Sequence, residues 1–141
     1  MNGSWLCVDA NLVIRLVADP ADETVRSLWG QWDSEGRQLA APTLLPYEVA
    51  NALYRYRRLG YIGSTAVELA FKAVLALPLE LYGKPDLHWR ALELANRFSL
   101  PAAYDAHYLA VAELLEGEFW TADQGLARAV RSSLDWVHLV E

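Results

Sequence analysis

The stretch Trp5-Leu6-Cys7-Val8-Asp9-Ala10-Asn11 joins a short apolar run directly to a carboxylate. A four-residue run rich in large apolar side chains is typical of a buried β-strand, which puts Asp9 at the carboxyl end of that strand. Ligands of open α/β sheets bind at the carboxyl ends of the strands. Asp9 is therefore a candidate binding residue, and further acidic residues at the same edge would define a site.

The composition is that of a globular protein. The chain has 141 residues, enough for one domain with a sizeable core, and 54% of them are hydrophobic while 21% are charged. The single cysteine, Cys7, excludes an intramolecular disulfide and a thiolate metal cluster. The sequence contains no apolar stretch of membrane-spanning length and no recognisable signal peptide, so we expect a cytoplasmic location and no membrane partner.

The net charge of −6 argues against broad binding to a nucleic-acid backbone, because proteins that bind in that way usually have a positive surface. It does not exclude a nuclease. Acidic residues gathered around a divalent cation add to the negative count, and the bound cation reverses the local sign.

Strand-like and helix-like segments alternate along the chain. Strands are predicted at residues 5–8, 38–41, 78–83, 118–121 and 136–140. Helices are predicted from a cap at Asn11 to near residue 19, at 21–34 and 43–59, from residue 64 onward, and at 86–98, 101–116 and 123–132. This alternation predicts an α/β fold of three layers, with a central, mostly parallel five-stranded sheet, formed by residues 1–141 as one domain.

Asp105 is the second candidate acid, and it lies in a segment that is apolar on nearly all sides. It shares a helical stripe with Tyr108, Leu109 and Ala112. A carboxylate on a packed stripe is unfavourable unless something compensates it, and the helix dipole or a metal ion could do so. The alternative is an aspartate that caps the helix N-terminus.

Asp123 and Glu48 complete the candidate set. Asp123 follows the aromatic strand that contains Trp120 and Thr121, as Asp9 follows the first strand, but it could instead cap the next helix. Glu48 lies early in the third predicted helix and belongs to no capping box. Its alternative role is that of a solvent-facing glutamate.

All four acids map to strand ends or early helix turns on one predicted edge. Hard cations such as Mg²⁺ and Mn²⁺ prefer oxygen ligands, and carboxylate sites that bind them can hydrolyse phosphodiesters. We therefore predict Asp9, Glu48 and Asp105 as metal ligands, with Asp123 either a further ligand or a residue that orients water.

Four blocks of the chain resemble the PIN-domain ribonucleases, and most closely the VapC-type toxins of bacterial and archaeal toxin–antitoxin pairs. The blocks are residues 8–11, 47–53, 104–112 and 121–126, in the order and spacing of the family, and the third is the most specific.

The resemblance implies a PIN-like five-stranded parallel sheet, an acid-lined Mg²⁺ or Mn²⁺ site, and endonucleolytic cleavage of RNA. It also implies a homodimer and inhibition by a cognate antitoxin. Asn11 and Thr121 would hold the acids by hydrogen bonds.

Other features allow two interpretations. Arg55, Arg57 and Arg58 could contact RNA phosphates or an acidic antitoxin segment, or could complement the dipole at a helix C-terminus.

Among the six tryptophans, we predict that Trp5 and Trp120 belong to the core. The better interface candidates are the helical Trp29, Trp32 and Trp89.

Two other function classes compete with a metal-dependent endoribonuclease. A receiver-like phosphoacceptor domain would require an aspartate after the third strand, where the sequence reads Tyr82-Gly83-Lys84. A non-catalytic PIN-fold interaction protein would not require all four acids, although their presence does not exclude it.

Overall fold

The computed structural model describes residues 4–141, and its centre is a parallel sheet of five strands. The strands are β1 (Trp5–Val8), β2 (Gln38–Pro42), β3 (Leu79–Tyr82), β4 (Glu118–Thr121) and β5 (Val137–Leu139). Their order across the sheet is β3-β2-β1-β4-β5, and every neighbouring pair is parallel. The predicted α/β fold class is confirmed, and β1 and β4 have the predicted bounds.

Seven helices join the strands in the described residues. They are α1 (Ala10–Ala18), α2 (Glu23–Ser34), α3 (Leu44–Arg58), α4 (Ser64–Ala76), α5 (Pro85–Arg97), α6 (Tyr104–Leu114) and α7 (Gln124–Val130). Helices α1, α3 and α4 pack on one another, while α5 packs on α6 and α6 packs on β1, β2 and β4. The sheet is thus the middle of three layers. None of the helices in residues 4–141 has the length and apolar character needed to cross a membrane.

The core follows from the central position of β1. Leu6, Cys7 and Val8 are fully or almost fully buried, as expected of a parallel strand that is covered on both faces. Helix α6 provides the facing layer, where Tyr108 and Leu109 have no exposed surface. Asp9 follows β1 directly and is itself only 5% exposed, so the buried run carries a carboxylate at the carboxyl end of the strand.

Helix α6 begins at Tyr104, three residues later than predicted from Pro101. The reason is the reversal between α5 and α6. Ser99 takes a left-handed φ of 51°, and the Leu100 N–H bonds to the Ala95 carbonyl, which closes α5. Residues 101–103 then carry the chain across to α6, which packs against α5.

The prediction that Trp32 is available for an interface was wrong, because this residue is 2% exposed and belongs to the core. It makes an edge contact with Trp120 at 5.4 Å between ring centroids, and Trp29 lies 4.9 Å from it. Helix α2 therefore uses its tryptophans to cover β4. Trp89 is 68% exposed and remains available for an interface. Trp5 and Trp120 pack against the core while keeping part of their surface exposed.

Gly117 is required by the close approach of the α6–β4 turn to β1. A Cβ atom at this position would lie 2.5 Å from the Trp5 carbonyl oxygen and 2.8 Å from the Trp5 Cβ. We expect Gly117→Ala to lower the free energy of unfolding by about 1–3 kcal/mol, as overpacking does elsewhere. Urea titration followed by circular dichroism measures the change.

Gly30→Ala provides the matched control, because Gly30 lies inside α2 and a Cβ there would meet nothing within 4 Å. This substitution should stabilise the protein by roughly 0.5–1 kcal/mol through helix propensity. Equal effects of the two substitutions would contradict the steric argument.

Candidate active site

Two of the four acids follow neighbouring strands. Asp9 comes directly after β1 and precedes α1, while Asp123 lies two residues after the end of β4 and caps α7, where its Oδ1 accepts from the Leu126 N–H at 3.1 Å. Because Val8 pairs with Trp120 in the β1–β4 register, the two chain segments leave the sheet side by side. Asp123 therefore caps α7 and also lies beside Asp9 at the carboxyl edge of the sheet.

Glu48 and Asp105 reach the same edge from helices. Glu48 lies in the second turn of α3, which follows β2, and Asp105 lies in the first turn of α6. The N-cap position of α6 is Ala103, so capping does not account for Asp105. All four predicted acids line one pocket of about 330 Å³, together with Asn11, Asn51, Arg55 and three apolar residues (Ala10, Ile14, Ala52).

Asp9 is held by residues from both sides of the β1–β4 pair. The Thr121 hydroxyl donates to Asp9 Oδ2 at 2.7 Å, and the Asn11 amide donates to the same oxygen at 3.4 Å. Asn11 does not cap α1 as predicted, since it lies inside the helix, whose N-cap position is Asp9. Its Oδ1 accepts instead from the Ala122 backbone N–H at 3.1 Å.

Thr121 also connects the two strand-end acids. Its Oγ1 donates to Asp9 and accepts from the Asp123 backbone N–H at 2.9 Å. Since Thr121 is completely buried, this bridge is protected from water. The hydroxyl thereby fixes the spacing between the backbone of Asp123 and the carboxylate of Asp9.

Tyr108 is the residue of this region that the sequence analysis did not identify as part of the site. Its side chain is completely buried, and its hydroxyl donates to Glu48 Oε1 at 2.6 Å. Burial raises the pKa of the Tyr108 phenol far above its usual value, so the group remains a donor. The sequence contained an indication of this role. A buried tyrosine needs a partner for its hydroxyl, and Tyr108 lies one helical turn after Asp105.

The electrostatics reflect crowded negative charge. Burial raises the pKa of the Asp9 carboxyl to about 7; the hydrogen bond from Thr121 opposes this shift, and the carboxylates of Asp105 and Glu48 add to it. Burial also raises the pKa of Asp105, with contributions from Asp123 and Glu48. These carboxyl groups are thus close enough to disfavour one another's charge.

The three predicted arginines do not act as one cluster. Arg55 lines the acid pocket, whereas Arg57 lies over the Tyr54 ring at 5.7 Å and borders a different groove between α3 and α4. Arg58 is exposed, and all three arginines belong to the last turn of α3, where cations complement the helix dipole. Arg55 is therefore the one of the three that lies beside the acids.

The donor set fits a hard divalent cation. The pocket offers carboxylate oxygens from four residues whose mutual repulsion a cation would relieve. Within residues 4–141, no group of three or more His, Cys, Asp or Glu side chains is placed so that it could hold a metal ion without rearrangement. Because Mg²⁺ keeps several of its waters and takes few protein ligands, an open arrangement of this kind suits it.

Comparison with known proteins supports the α/β fold and shows sequence similarity to one ribonuclease. No protein-family model matches the sequence. The chain is 29% identical over 128 residues to ribonuclease VapC3 of Pyrobaculum aerophilum, an alignment that covers 86% of this chain and 92% of that protein. The resemblance to VapC-type PIN-domain proteins is confirmed.

Solved structures with this fold extend the VapC comparison. A Pyrobaculum aerophilum protein, PAE2754, is 27% identical with a TM-score of 0.69, and the match covers 97% of this chain and 84% of that one. A toxin–antitoxin complex from Klebsiella pneumoniae also has a TM-score of 0.69, at 19% identity and 94% coverage of both chains. At that identity the second match speaks for the fold alone.

Asp9→Asn should stabilise the metal-free protein near neutral pH. The folded protein holds the Asp9 proton more tightly than the unfolded chain does, so its stability falls as the pH rises from about 4 to about 7. The amide is nearly isosteric and removes this dependence. At about pH 8 we expect a gain of about 2–4 kcal/mol in the free energy of unfolding, measured by urea titration in EDTA.

Asp33→Asn is the control, because Asp33 is exposed in α2 and lies outside the acid pocket. It should change the stability little at any pH. Mg²⁺ should raise the melting temperature of the parent more than that of Asp9→Asn. A pH dependence that is identical in Asp9→Asn and the parent would refute the assigned environment of Asp9.

Proposed function

We propose that this protein is a metal-dependent endoribonuclease that hydrolyses RNA phosphodiester bonds. The observation that carries the proposal is the convergence of the Asp9, Glu48, Asp105 and Asp123 side chains on one pocket at the carboxyl edge of the sheet. Similarity to a ribonuclease over most of the chain supports the same reaction class.

In this proposal Asp9, Glu48 and Asp105 hold Mg²⁺ or Mn²⁺, and Asp123 either joins them or orients water. A divalent cation in such a site lowers the pKa of a bound water and offsets charge that develops on the phosphate. Arg55, which lines the same pocket, supplies the positive charge nearest to a phosphate held there.

The surrounding residues keep the acids in place. Thr121 and Asn11 hold Asp9 by donating to its Oδ2. Tyr108 holds Glu48 from below the pocket in the same manner. Partners of this kind fix the orientation of a ligating carboxylate and are therefore expected to matter for metal affinity.

We further propose that the enzyme is the toxin of a type II toxin–antitoxin pair. It would act as a cytoplasmic homodimer formed by a single PIN-like domain and be restrained by a cognate antitoxin protein. This biological role is supported by the similarity to ribonuclease VapC3 over most of the chain. Arg57 and Arg58 remain candidates for contact with RNA or with an acidic antitoxin segment.

Asp9→Asn should abolish cleavage without loss of the fold. We expect the rate of cleavage of a panel of tRNA and rRNA fragments in Mg²⁺ to fall by more than ~100-fold, beyond the 10–100-fold loss typical of residues that merely support a ligand. Gel analysis of the fragments measures the rate, and Asp33→Asn should cut as the parent does. Undiminished cleavage by Asp9→Asn would exclude the proposed site.

Tyr108→Phe tests the support of Glu48 separately. Loss of the hydroxyl should raise the Mg²⁺ concentration needed for half-maximal cleavage by about 10-fold, while saturating Mg²⁺ restores most of the rate. Tyr61→Phe is the control, since Tyr61 is exposed and does not line the acid pocket. If the half-maximal Mg²⁺ concentration did not change, Tyr108 would have only a structural role.

A further inference from the structure

A second groove opens at the same edge of the sheet and is not explained by the acid pocket. We call it the tyrosine groove. Its volume is about 310 Å³, and its walls include Leu44, Tyr47, Leu87, His88, Tyr104 and His107. The groove lies where β2 and β3 end, between the N-terminal parts of α3, α5 and α6.

The tyrosine groove adjoins the acids through shared helices. Tyr47 precedes Glu48 on α3, and Tyr104 precedes Asp105 on α6. The hydrogen bond from Tyr108 to Glu48 joins these two helices. A chain molecule bound along this edge would therefore pass from one cavity into the other.

Two tyrosine rings of the groove face solvent to an unusual degree. Tyr47 is 75% exposed and Tyr104 is 64% exposed, so neither ring contributes much to the core. Leu44 and Leu87 provide an apolar floor behind them. Aromatic faces over an apolar floor offer a surface on which a flat ring can stack.

The polar part of the groove is a pair of imidazoles. His88 Nδ1 lies 2.8 Å from His107 Nε2, and His107 Nδ1 lies 2.7 Å from the Ala103 carbonyl oxygen. Since that carbonyl accepts only from an N–H, the Nε2 of neutral His107 accepts from His88. The outer nitrogen of His88, on an exposed side chain, is left to meet the edge of a ligand.

The shape and charge of the groove favour a base over a phosphate. None of the described residues that line it is lysine or arginine. At Gly83 a Cβ would lie 2.6 Å from Thr43 Oγ1, so the β3 end can lie this close to the β2 end only without a side chain. Single-stranded nucleic acid binds to such platforms by stacking, which needs no positive charge and therefore suits a chain of net charge −6.

We propose that the tyrosine groove receives a nucleobase of single-stranded RNA, next to the phosphodiester held at the acid pocket, by stacking on Tyr47 and Tyr104. This inference rests on the proposed function for the identity of the polymer. It adds a base-binding subsite that selects an unpaired nucleotide beside the cleaved bond.

The test measures binding instead of cleavage. All proteins carry Asp9→Asn, which keeps the RNA intact in Mg²⁺, and fluorescence anisotropy follows fluorescein-labelled oligouridylate and oligoadenylate. Tyr47→Ala and Tyr104→Ala should each weaken binding by about 10-fold, a loss in the range of one stacked base. Tyr47→Phe and Tyr104→Phe keep the ring and should bind as the parent does.

Two controls separate the base from the backbone and the groove from the rest of the surface. Tyr61→Ala removes a ring that is 71% exposed but lies outside the groove, and it should not alter binding. An oligonucleotide of abasic riboses should bind weakly and equally to the parent and to both alanine variants.

The outcomes distinguish this proposal from the nuclease assignment. If the alanine variants bind as the parent does, if the phenylalanine variants lose as much as the alanine variants, or if no oligonucleotide binds, the subsite is refuted. Cleavage by the protein with Asp9 intact then decides the nuclease assignment separately. A change of molecular mass in light scattering on Tyr47→Ala would also refute the subsite, because it would identify the groove as a contact between two copies of the chain.

Discussion

The pairing of β1 with β4 is the constraint on which the site depends. It brings Thr121 beside Asp9, and the buried hydroxyl then donates to a carboxylate that is itself 5% exposed. A carboxylate removed from water in this way is unfavourable unless hydrogen bonds or a cation compensate it. The strongly apolar β1 and α6 provide the stable frame that can hold such a group.

In the folded protein, the ionised form of the Asp9 and Asp105 carboxyl groups in the acid pocket is therefore less favourable than in water. The carboxylates of Asp105 and Glu48 add to the effect of burial on Asp9, and those of Asp123 and Glu48 add to the effect of burial on Asp105. Two of these acids have their own hydrogen-bond donor, since Tyr108 donates to Glu48 and the Leu126 N–H donates to Asp123 as the cap of α7. This arrangement is consistent with the proposed cation, which would keep several of its waters.

Helices α3 and α6 link the acid pocket to the tyrosine groove. Successive residues on each helix face different cavities, so Tyr47 and Glu48 on one helix, and Tyr104 and Asp105 on the other, serve the two sites from neighbouring positions. The two cavities differ in chemistry, since one is lined by carboxylates and the other by aromatic rings. This difference is the basis on which we propose a phosphodiester at the first cavity and a base at the second.

The sequence by itself determined the alternation of strands and helices, the exact bounds of β1 and β4, and the four acids that meet at one edge. Local patterns determine these features because periodicity and strand-end position follow from burial within a few residues. Only the tertiary structure decided that Tyr108 bonds to Glu48 across 60 residues, that Asn11 bonds to Ala122, and that the Trp32 side chain of α2 is buried against Trp120. Such contacts depend on which elements become neighbours in the β3-β2-β1-β4-β5 order, and a short window of sequence carries no record of its distant partner.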